Sequence, residues 1–502
     1  MESIRKRWND AEFMIKVIII LGMTGIMLFC FSDGINGNDF WWHVKVGEFI
    51  CKNGYVPKED VFSWLRWERE IPWTAHEWLS EVILYGGYHF FGEAGIFLFS
   101  LGAAFGMCAL LWKQVRTTWR NNVMISGLYF CLFAILTNAF FYGRPHVFSF
   151  FLLYFELKIL YDYYERGEGK GVYFIPVIAM LWSNLHGGSA NLAYLLCILF
   201  LAAGAFEMRW ERLENKKLNK KAWVRLAAVT IGSMLAIFVN PIGIRVFLYP
   251  YVNLSDQVSM AVISEWQAPD AKNVGQLVLF FLPIAVTAIG LIFGEKKLRL
   301  MDCVIGIFFV FLYMRSARFI ALWYIAAPFY AFRYVPVSKI KALKSRLDFA
   351  AVMVVGVMLV CFVGYGFGRT ATLLGSGKII AKAAEAEAIE FIRKDAPKRL
   401  FNDYNIGETL IFHDVPVFFD ARADLYSESG ILADGVGLMG LRQVAPSEEN
   451  TEFDAQAVMT KYGFDAFAIM KFRPLYVYLL SHSEKYVLAY EDDVLGYFKV
   501  RK

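Results

Sequence analysis

Charged and imidazole side chains are sparse in this chain, so their positions carry information: 19% of its 502 residues are charged and seven are histidine. Asp39 and His43, in the run Asn38-Asp39-Phe40-Trp41-Trp42-His43, stand four residues apart, the spacing that puts two side chains on one helix face. His76-Glu77-Trp78 follows, and Glu77 and Glu81 are again one turn apart. Farther along come Arg144-Pro145-His146, then Asn184 with His186-Gly187-Gly188, Asn240-Pro241, Glu265-Trp266, and Arg315 with Arg318. A carboxylate can take a proton from an attacking hydroxyl while guanidinium groups steady a departing phosphate. Arginine suits the second task because its planar fork stays charged and pairs with phosphate oxygens. Together these residue types suit holding an anion, moving a proton or binding a sugar. Asp39 is the candidate base and Glu77 the candidate acceptor orienter. His43, His76, Arg144, His146, His186, Glu265, Arg315 and Arg318 are candidate substrate-binding residues, with Arg315 and Arg318 suited to a phosphate and His146 or His186 supporting them.

The elements that must position these groups are apolar. At 57% hydrophobic and 17% aromatic, with a net charge of +5, the composition excludes a soluble globule, a disordered chain and a nucleic-acid binder that relies on a large basic excess. Val17 to Phe31 follows Arg5, Lys6 and Arg7 without a small-residue cleavage site and reads as a retained signal anchor. Further apolar runs at 94–112, 122–141, 146–162, 172–184, 189–206, 223–240, 274–294, 301–314, 319–335 and 348–368 bring the expected spans to eleven. With the N-terminus in the cytoplasm, the inner segments carry 24 Lys and Arg and the outer ones 10, so residues 369–502 fall outside the cytoplasm. On this threading every candidate residue lies on the outer face. The inner loops offer only solvated Lys, Arg and Glu, and Glu156 with Lys158 reads as a snorkelling pair at the interface.

The expected architecture is an α-helical polytopic membrane protein of about eleven transmembrane helices with a small C-terminal extracytoplasmic α/β domain. Residues 1–368 form the first part and 369–502 the second. Within the first outer loop, 32–93, helical spacing from Asp39 to Ile50 predicts a short helix, with Trp41 and Trp42 at the membrane interface. An extended segment, Pro57 to Pro72, leads to a second amphipathic helix over Ala75–Phe91. In the C-terminal part a helix fits Lys378–Asp395, and strands fit Arg399–Asn402, Val415–Asp420, Phe464–Met470, Tyr486–Tyr490 and Leu495–Val500. Asp403, Asp420, Arg422 and Asp424 near those strand ends suit either acceptor recognition or a structural cap. The seven cysteines include no CxxC pair, so neither a disulfide framework nor a zinc cluster is indicated.

A first span, a large outer loop of two juxtamembrane helices with an acid directly after the span, some ten further spans and an exported C-terminal domain together resemble the GT-C class of membrane glycosyltransferases. That class includes protein mannosyltransferases, lipid A aminoarabinose transferases and oligosaccharyltransferases. The strings Asp39-Phe40-Trp41-Trp42-His43, Trp73-Thr74-Ala75-His76-Glu77-Trp78-Leu79, Gly143-Arg144-Pro145-His146, Phe401-Asn402-Asp403-Tyr404 and Phe419-Asp420-Ala421-Arg422 are similar to those of an uncharacterised bacterial branch. The resemblance implies a multi-pass protein of the bacterial cytoplasmic membrane. It implies a polyprenyl-phosphate-linked sugar donor, an acceptor of unassigned type and no nucleic-acid partner. Asp39 occupies the position of the class's loop carboxylate, which acts as base or helps bind a divalent metal. Asp39 is not followed by a second acid in an Asp-x-Asp or Asp-Glu pair, a departure that bears on metal dependence. Three other readings use the same residues: a polymerase or ligase of lipid-linked glycans, a transporter or lipid flippase, and a non-catalytic envelope scaffold.

Overall fold

The computed structural model describes residues 17, 20–22, 24–25, 28–29, 39–118, 129, 133, 140–293, 296–334, 346–376, 380, 384–444 and 453–501. The expected span at 122–141 therefore lies mostly outside the described residues and that at 17–31 partly so, while Arg5, Lys6 and Arg7 lie wholly outside them. The described residues are mostly helical. In chain order the α-helices among the described residues from Phe40 to Ser376 are α1 (Phe40–Asn53), α2 (Trp78–Thr118), α3 (His146–Arg166), α4 (Ile175–Leu185), α5 (Leu192–Ala203), α6 (Lys220–Ala236), α7 (Ile244–Ser255), α8 (Gln257–Val262), α9 (Val274–Phe293), α10 (Leu300–Arg315), α11 (Ile320–Tyr330) and α12 (Arg346–Ser376). Each expected span that falls on described residues after the first loop coincides with one of these helices. Among the described residues, two helices are long and apolar enough to cross a membrane, Trp78–Arg116 and Val274–Phe293.

The chain divides into two compact units. The first holds Met1–Asn36, Phe90–Val239 and Ala268–Ile379; the second holds Gly37–His89, Asn240–Gln267 and Ile380–Lys502. The first outer loop thus packs with the C-terminal region, whereas a division at residue 368 groups it with the spans.

In the first unit α4 and α5 pack on α6, and α3 packs on α11. A small sheet unforeseen in the sequence joins the hairpin β1 (Met208–Trp210) and β2 (Leu213–Asn215) to β3 (Leu298–Arg299). Beside it lies a buried polar cluster that corrects the reading of the inner loops as wholly solvated. Arg299 donates to both Asp302 carboxylate oxygens at 2.9 Å, and Tyr161 (3.1 Å) and Tyr334 (2.5 Å) donate to the same carboxylate. Arg299 and Asp302 are 8% and 3% exposed, so four donors from three elements compensate one buried carboxylate. The Glu156–Lys158 pairing is also corrected. Two residues apart on a helix, the side chains diverge: Lys158 pairs with Asp162, while Glu156 is fully buried.

The second unit encloses one core drawn from all three of its segments, including Trp42, Val46, Trp64, Trp73, Val246, Phe401, Phe418 and Phe467. Its sheet runs β4 (Leu400–Asn402), β5 (Ala466–Met470), β7 (Leu495–Val500), β6 (Tyr486–Glu491), with β4 parallel to β5 and the remaining pairs antiparallel. Of the expected helix Lys378–Asp395, the described part is helical over Ala386–Asp395.

Val415–Asp420 is not a strand. It makes one bridge, Val417 to Ser63, and Pro416 cannot donate to a ladder. Its backbone is claimed by the Asn402 side chain, which accepts from the Phe418 N–H (2.8 Å) and donates to the Phe419 carbonyl (2.9 Å). The Trp64 indole N–H donates to the Leu400 carbonyl at 2.9 Å, which ties the first loop to β4. Trp41 and Trp42, expected at the membrane interface, are buried at 1% and 8% exposure, with the Trp41 ring 4.6 Å from that of Phe412. In a loop that folds against its own unit, large aromatic surface is better removed from water there.

The second loop helix begins at Trp78, three residues later than expected, and continues through a break at Gly92 (φ +61°) as α2. It meets α1 at Gly47, where an added Cβ would stand 2.1 Å from the Glu81 carbonyl oxygen and 2.7 Å from the Tyr85 Cβ. Neither neighbour is a flexible chain end, so the helices must separate to admit a side chain. Gly47→Ala is expected to destabilise the protein by about 3 kcal/mol. Gly54→Ala, at an open site with φ +74°, should cost only about 1 kcal/mol of backbone strain. Chemical unfolding in detergent compares them, and equal losses would refute the close crossing.

Candidate functional site

The Gly47 crossing brings the next turn of α1 against the start of α2. His43, one turn before Gly47, is 3% exposed; its Nδ1 lies 3.4 Å from Glu81 Oε1 and 3.9 Å from Glu77 Oε2. Trp42 covers the imidazole with ring centroids 3.7 Å apart. Glu77 reaches the other way too: its Oε1 is 3.7 Å from His76 Nε2. His76 stacks on Tyr249 of α7 at 3.8 Å and approaches the Thr74 carbonyl through Nδ1 at 3.1 Å. The structure therefore brings together His43, His76 and Glu77 from the sequence-derived set and adds Glu81. The signal for Glu81 was present, since it stands one turn after Glu77, but the same spacing fits a carboxylate solvated on the polar face of an amphipathic helix.

Glu81 is 1% exposed. Burial pushes its carboxyl well above the usual carboxylate range; the Glu77 charge adds to the rise and Arg422 opposes it. Asp39 immediately precedes α1 without a side-chain cap to that helix and is partly buried. Its charge bears on the buried Tyr404 phenol, whose pKa is raised first by burial and then by Asp39. Tyr404 also feels Asp424, whose carboxyl burial raises to about 6 against the Tyr249 hydroxyl and the Arg422 charge. Glu265 is exposed in the turn Ser264–Trp266.

The remaining candidates belong to the first unit. His146 and His186 face each other edge-on with ring centroids 6.3 Å apart. His146 Nε2 lies 2.6 Å from the Phe140 carbonyl, and the charges of Arg144 and Arg318 act on its imidazole. His186 Nδ1 lies 2.6 Å from Ser149 Oγ, which also accepts from the Trp182 indole at 2.7 Å. Arg144, His146, His186 and Arg318 thus form one basic and imidazole group. Arg315 is exposed at the end of α10.

A divalent metal at Asp39, as the resemblance allows, needs neighbouring donors. Among the described residues Asp39 belongs to no group of three ligand atoms; the group that exists is His43, Glu77 and Glu81. No chemical step is therefore assigned to a metal at Asp39.

Asp420 and Arg422, suited from sequence to acceptor recognition or a cap, are spent internally. The Arg422 guanidinium donates to Asp60 (3.0 Å) and to both oxygens of Asp420 (2.8 and 2.6 Å), and lies 4.7 Å from the Trp73 ring centre. Both arginine and carboxylate side chains have 0% exposure. Asp403 is likewise held, by Arg473 at 2.7 and 3.0 Å. Arg422→Met would leave two buried carboxylates uncompensated. Its expected cost is about 3–5 kcal/mol, measured by denaturant unfolding. A loss below about 1 kcal/mol would mean that Asp60 and Asp420 are solvated.

No family model and no curated protein matches this chain. Among solved structures, an oligosaccharyltransferase, AglB from Archaeoglobus fulgidus in complex with an inhibitory peptide and a dolichol-phosphate, matches with a TM-score of 0.60 and 11% identity. The match covers 92% of this chain and 70% of that one. The Archaeoglobus fulgidus oligosaccharyltransferase tethered to an acceptor peptide gives 0.58 at 12% identity, covering 91% and 69%. Its apo form gives 0.55 at 13%, with the same coverage of each chain. Over nearly its whole length, this chain has the GT-C-like fold seen in these oligosaccharyltransferases.

Proposed function

We propose that this chain is a multi-pass glycosyltransferase of the bacterial cytoplasmic membrane. It moves a sugar from a polyprenyl-phosphate-linked donor to a glycan, lipid or protein acceptor on the outer face. The observation that carries this reading is the fold likeness to an oligosaccharyltransferase solved with a peptide and a dolichol-phosphate. Eleven spans, a cytoplasmic N-terminus and an exported C-terminal region complete the proposal.

The division of labour follows from charge. Asp39 takes the proton from the acceptor nucleophile, and Glu77, with His43 and His76 beside it, orients that acceptor. As the glycosidic carbon transfers, the lipid phosphate leaves with growing negative charge, which needs cations rather than an acid. Arg318 and Arg144, supported by His146 and His186, supply them, and Arg315 and Glu265 bind outlying parts of the substrates. Arginine in this role gains from its fixed fork geometry.

A second reading is favoured by what the similar structures are, an oligosaccharyltransferase solved with a dolichol-phosphate and with an acceptor peptide: on it, this chain would transfer a preassembled glycan block. Sugar count on the product separates the two readings. A transporter or scaffold forms no such product.

Asp39→Asn is expected to lower transfer by about 10²–10⁴-fold while leaving membrane insertion and yield unchanged. The measurement is product formation from a polyprenyl-linked sugar, and a normal rate in that variant removes Asp39 as base. Arg318→Glu should raise the KM for the lipid donor; an unchanged donor dependence would leave Arg318 an anchor of its turn.

A further inference from the structure

We infer that His43, Glu77 and Glu81 form a binding site for one divalent first-row metal ion, of the Mn2+ or Zn2+ type, separate from the base position at Asp39. The site is built by the close approach of two helices at Gly47, and it stands independently of the glycosyl-transfer reading.

Three observations carry the inference. The first is geometry. One imidazole nitrogen and two carboxylate oxygens lie within 4.8 Å of one another. Ligand atoms about 2.1 Å from a common ion stand about 3.0–3.5 Å apart as neighbours and about 4.2 Å apart when opposed. The His43 separations of 3.4 and 3.9 Å fall in that range and are long for good hydrogen bonds. The second is an orphaned acceptor: Glu81 Oε2 is buried and has no hydrogen-bond partner, in a side chain that is 1% exposed. Such an atom carries the full cost of desolvation unless something fills its coordination. The third is charge. Two carboxylates brought together in a covered place repel each other, and a doubly charged cation with a neutral imidazole balances them.

Ligand type narrows the ion. Magnesium and calcium favour all-oxygen shells, and thiolates are missing from this group, which disfavours copper(I). One imidazole with two carboxylates suits Mn2+ or Zn2+, and three protein ligands leave positions for water or an oxygen ligand. Glu77 can serve through Oε2 while its Oε1 stays on His76. The pattern of the resembling class would place a metal at Asp39, so the donor set here is a different one.

The test uses the full chain in detergent, dialysed against chelator and titrated with Mn2+. Electron paramagnetic resonance reports free ion, and thermal unfolding is followed in parallel. Wild-type protein is expected to bind about one Mn2+ per chain and to unfold at a higher temperature when loaded. Glu81→Gln, which changes a single atom, and His43→Ala should each weaken binding by about tenfold or more. Asp39→Asn should bind as wild type does. If Glu81→Gln fails to fold, Glu77→Gln at the more open position replaces it. Absence of Mn2+ and Zn2+ binding in the wild type, or undiminished binding in the His43 and glutamate variants, overturns the site. Loss of binding in Asp39→Asn with retention in Glu81→Gln overturns its location. Sugar transfer by a chain that binds no metal leaves the glycosyltransferase reading standing, and metal binding without transfer does the reverse.

Discussion

Two helices approach to backbone distance only where one of them lacks a side chain, and Gly47 is that position in the first loop. The rest of the candidate site depends on this contact. One turn before it, His43 meets two glutamates that a wider crossing would leave in water. In water, a His and two Glu would interact weakly; covered by Trp42 and by the body of the second unit, they cannot remain mutually uncompensated. The same low-dielectric setting raises the Glu81 carboxyl pKa and makes each nearby charge count.

Charge compensation at a distance recurs through the molecule. Arg422 is shared between Asp60, in the first loop, and Asp420, and ring faces of Trp73 and Phe62 lie beside it. Arg299 and two tyrosines do the same for Asp302 in the other unit. Each carboxylate is surrounded by donors from separate parts of the chain. Such groups contribute more to the uniqueness of an arrangement than to its net stability, because desolvation offsets much of their attraction. The two groups of candidate chemistry are built differently. The acidic one is held by a helix crossing, and the imidazole and arginine one by a serine that serves both His186 and Trp182.

What the sequence made legible was local. Four-residue spacing placed Asp39 and His43 on a helix, and the structure has that helix at Phe40–Asn53, with His43 in it and Asp39 immediately before it. Strand patterns at the C-terminus match β4 to β7 within a few residues. Spacing has no access to pairs that meet across hundreds of positions, such as Asp60 and Arg422, so acids that are internal braces looked available for substrate. Val415–Asp420 had the composition of a strand, and the side chain of Asn402 took its backbone groups instead. Trp41 and Trp42 had the composition of a membrane belt; amphipathic aromatics suit a core equally well, and local pattern cannot distinguish the two. Glu156 and Lys158 show the reverse error, where closeness in sequence suggested a pair that helix geometry forbids.

The claim of Asn402 on the 418–419 backbone has a consequence for solubility. A sheet of four strands has two open flanks, each a template for a strand from another molecule. On the β4 flank, the Trp64 indole occupies the Leu400 carbonyl, a group that an incoming strand would use, and the Asn402 amide holds the 418–419 backbone beside that strand. The opposite flank, β6, carries a bulge between Leu488 and Tyr490 that twists its pairing register. Both borders of the small sheet are therefore blunted against edge-to-edge aggregation, one by borrowed side chains and the other by irregular backbone.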